Sequence, residues 1–143
     1  LHRQPLVVGI AGVAVAIRQG LANLFPFAAK PKGLGRLDHK IAKLEIVKNV
    51  LGVEAMTSQA RSDASGLCII ERAPWGVIGM VLPATHSVPT MASNAINVIA
   101  AGNTAVFSPH PAAAKVAAKA LQVFNRETER ISGITNALVT VQE

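Results

Sequence analysis

The chain has 143 residues, of which 50% are hydrophobic and 15% charged, and its formal net charge is +6. This length suits one domain, and the high apolar content excludes an intrinsically disordered chain. The single cysteine, Cys68, excludes a disulfide framework and a zinc site built from several thiolates, and it suits a reducing compartment. No apolar run reaches the roughly 18 residues that a membrane-spanning helix needs.

The positive charge is concentrated near the start of the chain. The first 36 residues contain no acidic residue, and their basic residues are Arg3, Arg18, Lys30, Lys32 and Arg36. The rest of the chain is almost neutral. A nucleic-acid interface normally clusters basic residues on one face and adds aromatic or polar base readers. Here the early charges are scattered among apolar residues and tyrosine is absent, so we expect no nucleic-acid partner.

Residues 1–32 form an atypical segment that is both apolar and basic. Its core, Leu6–Ile17, predicts a buried helix or strand. The alternative is the hydrophobic region of a secretory signal behind His2 and Arg3. No initiator methionine precedes this core and no clear small-x-small cleavage site follows it, so we favour the buried segment.

Residues 33–65 are expected to form a helical lead-in followed by a loop. One apolar stripe recurs at spacings of four and three, through Leu37, Ile41, Leu44, Val47 and Leu51. Gly52 follows the stripe directly, as is usual at a helix C-terminus, and predicts that the helix extends to Leu51. The polar run Thr57–Asp63 predicts a solvated loop.

From residue 66 onward, apolar runs of strand length alternate with helical patterns. The strand predictions are Leu67–Glu71, Val77–Leu82, Thr104–Phe107 and Ala137–Val141, and the helix predictions are Pro89–Ala101 and Lys115–Arg130. We expect Val77–Leu82, which is apolar throughout, to be covered on both faces. From Val77 the order is βαβαβ, which predicts the α/β class with a partial doubly wound, Rossmann-like parallel sheet, preceded by a helical N-terminal segment. Residues 66–143 would then be the first half of a nucleotide-binding domain.

Two polar loops follow the first two strands of this predicted sheet. Pro83–His86 follows Val77–Leu82, and Ser108–His110 follows the next strand as a turn. Ligands of such sheets bind beyond the carboxyl ends of the strands, where helix N-termini also favour phosphate or a developing oxyanion. The dinucleotide fingerprint GxGxxG is absent between the first strand and the first helix, which argues against an ordinary Rossmann dehydrogenase.

Several separate motifs, in order, carry a resemblance to a known family. They are Gly33–Leu37, Ala73–Gly79, Pro83–Thr90, Ser93–Ile96, Ala100–Asn103, Phe107–Pro111 and Leu138–Val141. In this register, over about residues 33–143, the chain resembles the CoA-acylating branch of the aldehyde dehydrogenase superfamily. The resemblance implies a reaction in which a short-chain aldehyde such as acetaldehyde or propionaldehyde, CoA and NAD give acyl-CoA and NADH.

The same resemblance implies a cysteine nucleophile with a lowered pKa and a nearby oxyanion donor. We expect that cysteine to lie downstream of Glu143 in the family's order, so that this chain is an N-terminal part and is inactive alone. Cys68 lies in an apolar strand-like run, and we expect a small buried thiol there rather than the nucleophile.

The resemblance also assigns site residues to the two polar loops. His86 stands where the superfamily usually has an asparagine that donates to the oxyanion, and an imidazole N–H can also donate. The alternative is a loop histidine satisfied by the backbone. The expected cofactor-binding residues, for NAD with CoA sharing the cleft, are Pro83, Ala84, Thr85, Ser108, Pro109 and His110. Ser108 replaces a lysine of non-acylating relatives, and its alternative role is a helix N-cap.

The remaining expectations concern metals, partners and place. We expect no metal site, because His39 has no ligand spacing to the other histidines and reads as a solvated residue. The family resemblance implies a cytoplasmic enzyme, homo-oligomeric when full-length, with a bacterial microcompartment shell as a further partner. The alternative function is a stand-alone nucleotide- or CoA-binding or assembly module without catalysis.

Overall fold

The computed structural model describes residues 36–53 and 56–141. The predictions made for residues 1–32 therefore lie outside the described residues. Within the described part, the elements in chain order are helix α1 (Leu37–Val47), strands β1 (Gln59–Asp63), β2 (Gly66–Ile70) and β3 (Val77–Leu82), helix α2 (Ser87–Ala100), strand β4 (Thr104–Pro109), a 3₁₀ turn (Pro111–Ala113), helix α3 (Ala114–Ser132) and strand β5 (Leu138–Thr140).

The last three strands form a parallel sheet in the order β3-β4-β5, which confirms the predicted α/β class and its βαβαβ unit. The register pairs Val77 with Thr104 and Leu82 with Pro109, and Phe107 with Thr140 on the other side of β4. Because the strands follow one another in sequence and crossovers share one hand, both helices are placed on the same face of the sheet.

The core lies between that face and the helices. Its largest fully buried side chains include Leu82, Met91, Phe107, Phe124 and Leu138, which come from strands β3, β4 and β5 and from both crossover helices. Leu44 of α1 is also fully buried in the same cluster. Helix α1 therefore docks on the βαβαβ unit through Leu44 and Val47, which are both buried in this cluster, and it packs against α2.

The expectation that Val77–Leu82 is covered on both faces is wrong. The strand alternates, with Leu82 1% exposed and its neighbour Val81 84% exposed. The physical reason is the sequential strand order, which leaves the face opposite α2 and α3 without a helix among the described residues. Strand β3 is therefore apolar on both faces, but only one face is packed; Val77 and Val81 on the other face are exposed.

A two-stranded antiparallel hairpin replaces the solvated loop predicted for Thr57–Asp63. Strand β1 pairs with β2 from Gln59↔Ile70 to Asp63↔Gly66, and every residue of both strands is exposed. The turn is closed by the Ser65 backbone N–H, which donates to Asp63 Oδ1 at 2.7 Å. Backbone pairing, rather than burial of side chains, holds β1, so its sequence lacks the alternation that marks a half-buried strand.

Three further expectations need correction. Cys68, on β2, is exposed rather than buried, because no described element covers the hairpin. Helix α1 ends at Val47, and Leu51 is 70% exposed, because the backbone tightens into bonds from Asn49 N to Ile46 O and from Val50 N to Val47 O. Strand β4 continues through Ser108 and Pro109, which were expected to form a turn.

The outer edge of the sheet is closed by a side chain. Asn125 of α3 donates from Nδ2 to the carbonyl oxygen of Leu138 at 2.7 Å, and the Leu138 N–H donates to Asn125 Oδ1 at 3.1 Å. The amide therefore supplies the donor and the acceptor that a neighbouring strand would offer. These two hydrogen bonds connect α3 to β5.

Leu82 and Val81 form a matched test of the one-sided core. We expect Leu82→Ala to lower the free energy of unfolding by about 2–5 kcal/mol, because it removes a fully buried side chain. Val81→Ala, one residue earlier in the same strand, should cost less than about 1 kcal/mol because its side chain is already in water. Urea unfolding followed by circular dichroism measures both. Equal costs for the two variants would contradict the described face assignment.

Arg36 and Asp38, at the start of α1, give a prediction about pH. Arg36 Nε and Nη2 donate to the Asp38 carboxylate at 3.2 and 2.8 Å and hold the pKa of Asp38 below its ordinary value of 3.8. The pair therefore stabilises the fold above pH 3.8, and this contribution is lost as the pH falls through the lowered pKa. We expect Arg36→Gln to return the pKa of Asp38 towards 3.8 in an NMR titration, whereas Arg72→Gln, the same charge change elsewhere, leaves it in place. An unchanged titration in Arg36→Gln would show that the ion pair does not set it.

Candidate functional site

The two predicted site loops lie side by side at the carboxyl edge of the parallel sheet. Leu82 pairs with Pro109 at the end of the β3–β4 register, and the His110 N–H donates to the carbonyl oxygen of Leu82 at 3.1 Å. Residue 83 begins its loop directly after this bond. The structure therefore brings Pro83–His86 and Ser108–His110 to one edge.

The predicted residues differ in how far they are available to a ligand. Pro83, Thr85, His86, Ser108 and His110 are exposed, and Ala84 is half-buried. Pro109, in contrast, is buried, since it continues the inward-facing series of Ala105 and Phe107 in β4. The backbone of Pro109 is therefore part of the edge, whereas its ring belongs to the core side of the sheet.

His110 caps the 3₁₀ turn that follows β4. Its Nδ1 accepts a hydrogen bond from the Ala112 N–H at 3.1 Å, and Pro111 contributes no N–H of its own. Ser108, the alternative N-cap suggested by the sequence, does not cap the turn. Because Nδ1 of His110 accepts, the neutral ring carries its proton on Nε2, which has no partner among the described residues. His110 therefore offers a free N–H donor at the edge.

His86 is the N-cap of α2, and its carbonyl oxygen accepts the first helical bond from Thr90 N at 3.0 Å. Its ring makes no capping bond, because both ring nitrogens are engaged elsewhere. Nδ1 lies 2.7 Å from Thr85 Oγ1, and Nε2 contacts the Nζ atom of Lys43. The sequence offered the alternative of a loop histidine that is hydrogen-bonded to the backbone. In the structure, both ring nitrogens of His86 instead contact side chains.

Lys43 is the functional neighbour that the sequence did not indicate. It lies on α1, 43 residues before His86, and the adjacent Leu44 anchors this helix in the core. The pKa of Lys40, one turn earlier on α1, lies below its ordinary value of 10.5. The main cause is the desolvation of the Lys40 ammonium, and the second is repulsion by the charge of Lys43. Two cations thus lie together on α1, and one of them reaches the edge. No local pattern reports a side-chain contact between a helix and a loop so far apart in the chain.

The first turn of α2 adds polar groups without partners. The Oγ atom of Ser87 is buried and makes no hydrogen bond within the part of the chain that the structure describes. The Ser87 and Val88 N–H groups are also unpaired there, and Pro89 has none to offer. A buried hydroxyl without a partner costs about 1–3 kcal/mol, so this position favours a water or a polar ligand atom. Free N–H groups and the positive end of the helix dipole favour an acceptor that carries negative charge.

Other kinds of site find no support among the described residues. Residues 36–53 and 56–141 contain no group of three His, Cys, Asp or Glu side chains that could hold a metal ion. In the same ranges no helix has the length and apolar character needed to cross a membrane. An open depression of about 430 Å³ lies on the hairpin, lined by residues 61–63 and 65–68, and includes none of the loop residues of the sheet edge.

Comparison with known proteins agrees with this architecture. The chain is 38% identical to the acetylating acetaldehyde dehydrogenase EutE of Escherichia coli over 135 residues, which are 94% of this chain and 29% of that protein. A propionaldehyde dehydrogenase from the fucose utilisation microcompartment of Clostridium phytofermentans superimposes with a TM-score of 0.89 at 34% identity, over 96% of this chain and 33% of that one. The Rhodopseudomonas palustris propionaldehyde dehydrogenase with bound propionyl-CoA also gives 0.89, at 31% identity, over 96% of this chain and 32% of that one.

The chain therefore spans about a third of the length of the relatives that it matches. The sequence profile of the Aldehyde dehydrogenase family matches residues 36–140, which begin at the N-cap of α1 and end with β5. With a profile match over most of the chain and the same fold in the solved relatives, this protein belongs to the aldehyde dehydrogenase family.

Proposed function

We propose that the chain is a portion of an NAD-dependent, CoA-acylating aldehyde dehydrogenase that converts a short-chain aldehyde to acyl-CoA. The observation that carries this proposal is the shared edge at which the His110 N–H bonds to Leu82 O and brings the two polar loops together. The similarity to EutE and to the two propionaldehyde dehydrogenases supports acetaldehyde or propionaldehyde as the substrate class. In the overall reaction, aldehyde, CoA and NAD⁺ give acyl-CoA, NADH and a proton.

The polar groups at the edge fit a nucleotide. The His110 Nε2–H and the exposed Ser108 hydroxyl are donors with no partner among the described residues, which suits ribose and phosphate oxygens. Pro83, Ala84 and Thr85 would form the wall beside them. The orphaned Ser87 hydroxyl and the free N–H groups of α2 add further donors. When bound, NAD⁺ supplies a hydride acceptor, and the residues of this chain would hold it and orient it.

The proposed oxyanion position is the N-terminus of α2, next to His86. A carbonyl oxygen that gains negative charge is stabilised there by the helix dipole and by fixed N–H donors. His86 takes the place of the superfamily's asparagine, and its donor capacity depends on the contacts that its two ring nitrogens already make. The role of this side chain is taken up below.

The acyl-transfer step needs a thiolate that this part of the enzyme does not supply. The 143-residue sequence contains one cysteine, and the structure places it on the exposed hairpin rather than in either loop of the sheet edge. A nucleophilic cysteine requires an electropositive setting that lowers its pKa and a carbonyl oxygen site within reach. We therefore assign the nucleophile to a part of the enzyme other than these residues.

A spectrophotometric assay tests this assignment. The 143-residue chain, incubated with propionaldehyde, CoA and NAD⁺, should produce no NADH above the enzyme-free rate, because the required thiolate is missing. Cys68→Ala should give the same baseline. Sustained NADH formation by the chain that disappears in Cys68→Ala would overturn the assignment of the nucleophile and make Cys68 the reacting thiol.

A second candidate is a non-catalytic nucleotide- or CoA-binding or assembly module, favoured by the free donors of Ser108 and His110 in a chain that lacks the nucleophile. Calorimetry with CoA and with NAD⁺ separates the two. Under the leading proposal, the chain alone binds either molecule in the millimolar range or not at all. Micromolar binding that His110→Ala weakens at least about tenfold, and that the exposed His39→Ala on α1 leaves unchanged, would favour the module.

The proposals on place and assembly follow from the same relatives. One solved relative comes from a bacterial microcompartment, which supports a cytoplasmic enzyme that is packaged in such a shell. The expected homo-oligomer belongs to the full-length enzyme.

A further inference from the structure

The contacts of His86 determine which of its ring nitrogens carries the proton. An ammonium group has three N–H donors and no acceptor, so the contact of Lys43 Nζ with Nε2 requires Nε2 to be unprotonated. The neutral ring then carries its proton on Nδ1 and donates it to Thr85 Oγ1 at 2.7 Å. We propose that Lys43 is a positioning residue that holds His86 in the Nδ1–H tautomer.

The placement of Lys43 is fixed by the fold. Leu44, the next residue, is fully buried in the core cluster, and α1 packs against α2, whose N-cap is His86. A lysine beside such an anchor has less freedom than one on a solvated helix face, and its stem is half-buried. Lys40, one turn earlier, carries the same charge and donates its backbone N–H to Arg36 O, but its ammonium has no hydrogen-bond partner among the described residues.

The tautomer changes which group can donate at this edge. An Nε2 atom that accepts from Lys43 has no proton to give to a substrate oxygen, whereas the ammonium keeps N–H groups beyond the one directed at the ring. In the proposed reaction, His86 then offers no N–H to the carbonyl oxygen, and the donors there are the free N–H groups at the start of α2. This consequence rests on the proposed function, whereas the tautomer is a property of the chain without substrate.

The tautomer can be measured directly on the uniformly ¹⁵N-labelled 143-residue chain at neutral pH. Two-bond correlation spectra of the imidazole rings distinguish a protonated from an unprotonated nitrogen, and His86→Gln identifies the signals by removing them. We expect Nδ1 of His86 to resonate as a protonated nitrogen and Nε2 as an unprotonated one. The opposite pattern in the unmodified chain would overturn the proposal without any variant.

Variants then test whether Lys43 is the cause. Lys43→Met should move the two nitrogen shifts towards each other or exchange them, Lys43→Arg should restore the original pattern because the guanidinium also donates, and Lys40→Met should leave it unchanged. Thr85→Val should retain the tautomer, since Lys43 still occupies Nε2. If the original pattern persists in Lys43→Met, Lys43 does not set the tautomer. If that pattern is then lost in Thr85→Val, Thr85 sets it instead.

The outcome is independent of the proposed function. The spectra are recorded without aldehyde, CoA or NAD⁺, so a failed enzymatic assignment leaves the tautomer result standing. If Lys43→Met loses the folded spectrum, Thr85→Val and the unmodified chain still decide the question. The expected tautomer in both of these supports the proposal, and the Nε2–H tautomer in either contradicts it.

Discussion

The parallel pairing of β4 with β3 is the interaction on which the candidate site depends. Its register ends with Leu82 opposite Pro109, and the next bond, from His110 N to Leu82 O, closes the edge. A shift of one residue would exchange the two faces of β4 and carry Phe107 out of the core. It would also separate His110 from the start of the Pro83–His86 loop. The packing that buries Leu82 and Phe107 thus also determines which polar residues meet at the edge.

Two asparagine side chains complete the pairing where strands are absent. Asn103, after α2, accepts hydrogen bonds at Oδ1 from the N–H groups of Trp75 and Gly76, at 2.6 and 2.9 Å, and so fixes the turn that leads into β3. Asn125 does the corresponding work at β5 by bonding both backbone groups of Leu138. Both amides satisfy backbone groups at the limits of the sheet. Their positions secure the strand ends whose register places the ligand edge.

The sequence predicted those elements that contain apolar runs or stripes, including β2, which is apolar in sequence although all of its residues are exposed. The strands β3, β4 and β5 and the helices α2 and α3 are apolar on at least one face, so their runs and periodicity located them to within a few residues. Strand β1 is exposed along its whole length and is held by backbone hydrogen bonds, so its polar composition predicted a loop. The exposure of Cys68 and Val81 depends on which faces other elements cover, which no local pattern records.

The candidate site also has one part that the sequence predicted and one part that it did not. Topology alone brings the two loops after β3 and β4 to one edge, and this part was predictable from the order of the strands. The contact between Lys43 and His86 was not, because it joins side chains 43 residues apart and depends on how α1 docks through Leu44. The site residues that the family resemblance assigns lie at the sheet edge, whereas Lys43, the side chain that contacts His86, comes from the helix that precedes them.

The edge has two sides, and the predicted residues divide between them. Ser108 lies beside Val81 in the register, on the face of the sheet that no described helix covers. His86 caps α2 and therefore belongs to the opposite, helix-covered side, where Lys43 reaches it from α1. In the proposed function, a nucleotide that contacts Ser108 would thus approach from the open face, whereas the carbonyl oxygen would be met at the start of α2. The paired strand ends, Leu82 with Pro109, lie between the two groups and connect them.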